Sequence, residues 1–295
     1  MRFNLIGPFE IVTDDGRTYQ PGTPKVCQTL ALLLTRPGEI VTAEALIREL
    51  WGENPPRSAV TTLQTYVYHA RRMFTQEQLA PAGRCLIATT AAGYVMNVED
   101  SEVDVRVFER LVTLARWELA EEEPQKALRT VGRALDLWRG PALSNFPAGD
   151  VLAGHVVHLE ELRIRAFETR IEAQEALGRH RESIPELRKL INDYPLNEWF
   201  HSRLIGALGA AGRRAEALQA YQKVRRLLAE ELGLEPSAEL KRLHGGLLSP
   251  VRGTGRSAVF ERGSRGVGDG RHPGRAQGRT QEETACPVVC SPRSP

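Results

Sequence analysis

Acidic side chains are nearly missing from one stretch of this 295-residue chain. Between Asn54 and Val98 the only carboxylate is Glu77, while Arg57, Arg71, Arg72 and Arg84 remain. The formal net charge of +2 conceals that local imbalance. A segment without Asp and Glu suits a polyanion, because phosphates repel carboxylates as strongly as they attract guanidinium groups.

Cysteine is scarce too. The four cysteines, Cys27, Cys85, Cys286 and Cys290, form no CxxC pair, so neither a paired-thiolate zinc site nor a disulfide framework is indicated, and a reducing compartment is expected. The first residues, "MRFNLIGPFEI", hold no long apolar segment, and no run of about 18 apolar residues occurs anywhere. A cytoplasmic chain with no membrane partner is therefore expected. Motifs for catalysis are absent as well. No GxxxxGK[ST] phosphate loop, no GxSxG elbow and no HExxH pair is present. "HVVHLEE" at 155–161 puts His155 and His158 three residues apart beside Glu160 and Glu161, which reads as ordinary helix-surface histidines rather than a ligand set. No metal, no cofactor and no enzymatic activity is expected, since nothing supplies a nucleophile, base or Lewis acid.

What is present begins with strands. "RFNLIG" and "FEIVT" alternate as short strands, "DDG" at 14–16 marks a turn, and "RTYQ" returns as a third. From Pro24 the period becomes helical: Val26, Leu30, Leu33 and Leu34 share a face until "RPGE" at 36–39 stops them. Thr42 stands as the N-cap of "AEALIRELW", closed by Gly52. After "GENPPRS", Ser58 is placed to cap a third helix, and "CLIATTAAGYVMNV" at 85–98 forms a hairpin whose turn carries Gly93. Three strands, three helices and a hairpin within residues 1–98 have the order of a winged helix.

The third helix, "AVTTLQTYVYHARRMF", separates cleanly on a helical wheel. At about 100° per residue, Leu63, Val67, Ala70 and Phe74 fall on one side as the core face, flanked by Ala59 and Val60. Thr61, Thr65, Tyr68 and Arg72 lie opposite, with Gln64 and Arg71 on one shoulder and Thr62 and His69 on the other. Thr and Gln bond base edges, Thr methyls and Tyr rings meet thymine methyls, and Arg serves guanine or phosphate. A plain solvated helix is the alternative, and Glu and Lys, its usual constituents, are missing here.

Residues 101–248 read as helical almost throughout, their many acids paired with Arg and Lys at i,i+3 and i,i+4. "RGPALSNFP" at 139–147 is a loop with two prolines. Gly178 and Gly212 lie 34 residues apart, and "EALGRHRESI" answers "GAAGRRAEAL", the period of tetratricopeptide-like helix pairs. From Ser249, residues 249–295 are dense in Gly, Arg, Pro and Ser, a composition that predicts disorder.

Together the halves resemble the SARP family, the Streptomyces antibiotic regulatory proteins. The words that carry the resemblance are "RFNLIGPFEI", "LALLLTRPGEIVTAEALIRELWGENPP" and "LQTYVYHARR" in the first half. In the second they are "ALDLWRGPAL", "YPLNEWFHSRLIGALGAAGRRAEALQAYQKVRRLL" and "ELGLEPSAELKRLH". The resemblance implies a mainly α fold with little β: an OmpR-type winged helix over 1–98 and a bacterial transcriptional activator domain over 101–248. It implies an activator of a secondary-metabolite gene cluster that binds direct repeats in double-stranded DNA as a homodimer and contacts RNA polymerase. By similarity, Thr61, Thr62, Thr65, Tyr68, His69, Arg71 and Arg72 meet DNA, and Arg57 is available to a phosphate. The wing departs from the family pattern. "TTAAGY" offers Thr89 and Thr90 as hydroxyls where relatives present Arg or Lys, and larger members add an ATPase module whose motifs do not occur here. A repressor with the same contacts, or an adaptor that binds protein through its helical repeats, remains open on sequence alone.

Overall fold

A computed structural model describes residues 1–79 and 83–249; the reading of the Arg- and Gly-rich tail falls outside them from Pro250 onward. The chain opens with β1 (Arg2–Asn4), β2 (Glu10–Val12) and β3 (Thr18–Tyr19), an antiparallel sheet in that order. Helix α1 (Pro24–Leu34) follows, then β4 (Ile40–Thr42), α2 (Ala43–Trp51), α3 (Ala59–Gln76), β5 (Ile87–Thr89) and β6 (Gly93–Met96). Strands β4, β6 and β5 form a second antiparallel sheet with β6 central. Strand β4 was not expected. Its three residues turn directly into α2, and only pairing with residues some fifty positions later, Ile40 with Val95 and Thr42 with Gly93, makes them a strand.

Several local expectations hold. Thr42 Oγ1 accepts from Ala45 N–H at 3.1 Å, and Gly52 ends α2 at φ +63°. Ser58 occupies the N-cap position of α3, but its side chain makes no capping bond; its hydroxyl instead lies 3.4 Å from Thr62 Oγ1.

The rest of the described chain is helical: α4 (Asp104–Ala120), α5 (Pro124–Leu135), α6 (Asp150–Ala176), α7 (His180–Asp193), α8 (Glu198–Ala210), α9 (Arg214–Leu232) and α10 (Ala238–Leu248). Gly178 and Gly212 sit in the turns of α6–α7 and α8–α9 with φ of +70° and +76°. A third pair shares that turn. Glu122 between α4 and α5 has φ +59°, and the same backbone bond closes all three. Glu123 N–H donates to Glu118 O at 2.9 Å, Arg179 N–H to Gln174 O at 2.9 Å and Arg213 N–H to Leu208 O at 2.8 Å.

One apolar core runs from Phe3 to Ala166 and a second from Ile171 to Leu240, so the first passes without a break from the sheets into α4, α5 and the start of α6. This is why α1 is buried from Val26 to Leu34: α2, α3, α6 and β6 all pack against it. Polar contacts reinforce the junction. Buried Asp104 accepts from Leu5 N–H at 2.8 and 2.9 Å and from Ile6 N–H at 2.8 Å. Asn145 pairs with both backbone groups of Phe9, at 2.7 and 3.0 Å. Glu49 of α2 accepts from Gly149 N–H at 2.6 Å and Leu152 N–H at 2.9 Å, satisfying the first turn of α6. The 139–147 loop is anchored by three inward side chains: Ala142, Leu143 and Phe146 are buried, and Leu143 N–H donates to Leu5 O at 3.1 Å.

Candidate nucleic-acid interface

Helix α3 is seated by Ala59, Leu63, Val67, Ala70 and Phe74, all buried. The Phe74 ring meets the edge of Phe3 at 6.3 Å, and Tyr66 stacks on Trp51 of α2 at 6.2 Å and 23°. These contacts set both the position of α3 and its rotation about its own axis. Val60 departs from expectation. It is 55% exposed and lies outside the core face, because Ala59 already fills the core position at the start of the helix.

On the opposite side Thr61, Gln64, Thr65, Tyr68, His69 and Arg72 are exposed, Arg57 is exposed just before the helix, and Thr62 is half-buried. Tyr68 stands 57% exposed with its ring against the edge of His69 at 5.8 Å. Thr65 Oγ1 donates to Thr61 O at 3.0 Å, so the hydroxyl proton is spent locally while its lone pairs and methyl remain on the surface. The exposed face thus combines methyls, one phenol ring, amide and hydroxyl groups and a guanidinium, and no residue of α3 is acidic.

Arg71, Thr89 and Thr90, all expected to meet the duplex, are engaged with the protein itself. The Arg71 guanidinium donates to Ile87 O from Nε at 3.1 Å and Nη2 at 2.8 Å, and to Thr89 Oγ1 at 2.7 Å. Thr90 Oγ1 accepts from Gly93 N–H at 3.1 Å and donates to Gly93 O at 3.2 Å, which closes the hairpin turn. Gly93 itself has no room for a side chain, since a Cβ there would stand 2.1 Å from Val41 O. The wing is therefore held by α3 on one side and by β4 on the other.

Arg84 is also committed. It forms a two-pronged pair with Glu102, one arm at 2.7 Å, and that guanidinium lowers the Glu102 carboxyl below the usual carboxylate range. Glu102 lies just beyond the acid-free stretch, so its effect on Arg84 was not visible in the local composition. Of the four arginines there, Arg57 and Arg72 are the two that project from the surface of α3 and its approach. Among the described residues no group of three or more His, Cys, Asp or Glu is arranged to hold a metal ion, and no helix is long and apolar enough to cross a membrane.

Comparison with known proteins agrees with both parts of this description. Residues 18–96 match the family "Transcriptional regulatory protein, C terminal", and residues 103–248 match "Bacterial transcriptional activator domain". The chain is 37% identical over 261 residues to the regulatory protein DnrI of Streptomyces peucetius, covering 87% of this chain and 95% of that one. It is 32% identical to the transcriptional regulator RedD of Streptomyces coelicolor, covering 84% of this chain and 71% of RedD. With the regulatory protein AfsR of Streptomyces griseus it shares 34% identity, but spans 24% of that much longer relative. Among solved structures, Mycobacterium tuberculosis EmbR in complex with a low affinity phosphopeptide superposes with a TM-score of 0.77 at 31% identity, covering 84% of this chain and 64% of EmbR.

Proposed function

Because the chain belongs to the SARP family, the Streptomyces antibiotic regulatory proteins, we propose that it is a sequence-specific DNA-binding activator of a secondary-metabolite gene cluster. The observation that carries this reading is the outward face of α3: exposed, free of carboxylates, and composed of groups that read base edges. Thr61, Gln64, Thr65, Tyr68 and Arg72 enter the major groove, Thr62 and His69 border it, and Arg57 takes a phosphate. Arg71 and Thr89 act by bracing the wing, and the wing approaches the backbone rather than reading bases.

Residues 1–98 do the reading and residues 101–248 present a surface to RNA polymerase. Two protomers bind direct repeats whose starts lie about one helical turn apart, about 10 to 11 base pairs, which puts both α3 helices on one side of the duplex. The long-range contacts of Asp104, Asn145 and Glu49 favour this division of work, since they tie the sheet-bearing region that seats the reading helix to the helical repeats.

The decisive measurement is mobility shift on a repeat-containing promoter. Thr65→Ala and Arg72→Ala each weaken specific binding by roughly 1 to 3 kcal/mol, the range for a lost base contact, and unchanged shifts for both would overturn the assignment of this face. Affinity that does not fall with salt would favour an adaptor without DNA contacts. Transcription in vitro with purified polymerase fixes the sign: more transcript for an activator, less for a repressor.

A further inference from the structure

The 34-residue repeat exposes a difference between its two copies that points to a ligand. In the α6–α7 pair the space between the helices is filled: Arg170 Nε lies 3.2 Å from Glu186 Oε1, Gln174 Nε2 donates to Glu186 Oε2 at 3.4 Å, and the ring of Phe167 sits one turn earlier. Thirty-four residues later the matching positions are His201 for Phe167, Leu204 for Arg170, Leu208 for Gln174 and Ala220 for Glu186. The ion pair is gone and nothing of equal bulk replaces it. A cleft of about 340 Å³ opens there between α7, α8 and α9.

Its chemistry is two-sided. The buried side chains of Ile191, Leu204 and Leu208 line it as an apolar floor. Arg188 and Lys223 line it as exposed cations, and among the described residues Lys223 has no carboxylate partner. The acid in the wall, Glu216, is already paired. Arg213 holds it from Nε at 2.8 Å and Nη2 at 2.7 Å, and Arg188 at 2.7 Å. Buried His201, whose Nε2 lies 2.8 Å from Pro195 O, donates there because a carbonyl only accepts; burial, with the nearby Lys223, lowers its pKa against the opposing effect of that bond. The cleft thus has an apolar floor and cations at its edge, with Asn192 and Gln219 also in its lining, and its volume falls in the range of small-molecule sites.

We propose that this cleft binds a small amphipathic carboxylate, its apolar body on Ile191, Leu204 and Leu208 and its carboxylate at Arg188 and Lys223. The matching space one repeat earlier cannot do so, because the Arg170–Glu186 pair occupies it.

Octanoate is the probe, titrated calorimetrically into the full chain. Saturable one-site binding is expected, weakened about tenfold by Lys223→Gln, the factor for losing one charged contact. The double substitution Leu204→Arg with Ala220→Glu copies the filling of the preceding repeat and is expected to abolish binding while far-ultraviolet circular dichroism and promoter binding are retained. Should that double variant fail to fold, Lys223→Gln, a surface change, decides alone. No binding of octanoate, equal binding by the Lys223→Gln protein, or equal binding of uncharged 1-octanol would each overturn the proposal. None of these outcomes bears on whether α3 reads DNA, which the promoter shifts test separately.

Discussion

Arg71 of α3 and Thr89 of the wing meet at 2.7 Å through a guanidinium that also holds Ile87 O, so the helix that faces outward and the hairpin beside it are one assembly. Arg71→Ala removes three hydrogen bonds from that junction. Promoter affinity is expected to fall several-fold while the slope of log affinity against log salt stays the same. A direct phosphate contact would instead lower the slope by about one unit. Arg71→Lys should behave almost as badly as alanine, because a lysine cannot supply the fork that serves two acceptors.

Glu49 carries a comparable burden at the start of α6. Glu49→Ala leaves the half-buried N–H of Gly149 and the buried N–H of Leu152 without an acceptor and is expected to cost about 2 to 4 kcal/mol in urea unfolding. Gly149→Ala should also destabilise, since its Cβ would stand 2.1 Å from Glu49 O. A loss under about half a kcal/mol for both would show that the junction does not depend on this cap.

Asp104 makes the junction sensitive to pH. Burial pushes its carboxyl up to about 6 from the ordinary 3.8, while bonds from Leu5 and Ile6 and the charge of Arg139 oppose the rise. A folded-state value above the unfolded one means the folded chain holds the proton more tightly. The associated stability is complete below the ordinary carboxylate value and is lost as pH rises through about 6. Unfolding measured from about pH 4 to about pH 7 should therefore show wild type losing stability relative to Asp104→Asn across that window. A difference between the two that stays constant with pH would contradict this.

Glu122 occupies a left-handed turn that Gly178 and Gly212 occupy in the later pairs. Glu122→Gly is expected to raise stability by about half to one kcal/mol by relieving that conformation, and Gly178→Ala to lower it by about one or more. Thermal unfolding of the two single variants checks both signs.

What the sequence revealed follows how local its causes are. The buried and exposed sides of α3 follow from spacing alone and hold residue by residue except at its margins, where Val60 is exposed and Thr62 and Arg71 are half-buried. The 34-residue repeat was visible because two of its turns use glycine. Its first copy carries no such signal, because Glu122 stands in the glycine position and the 139–147 segment interrupts the period. Strand β4 and the engagement of Arg71, Thr89 and Arg84 depend on partners elsewhere in the chain, whereas Thr90 is held by Gly93 within its own turn. The shared core was least legible of all, since Leu5 with Asp104, Phe9 with Asn145 and Glu49 with Gly149 join residues about a hundred or more positions apart.

Helix α6 belongs to both apolar cores at once, its first half packed with the sheet-bearing region and its second half with the later repeats. Its 27 residues extend about 40 Å at 1.5 Å each, as one unbroken rod. The later repeats and the sheet-bearing region are thus joined through one continuous helix rather than through a linker. On the proposed reading of DNA by α3, moving a binding site by half a turn is expected to carry residues 101–248 to the opposite side of the duplex, and moving it by a full turn to bring them back.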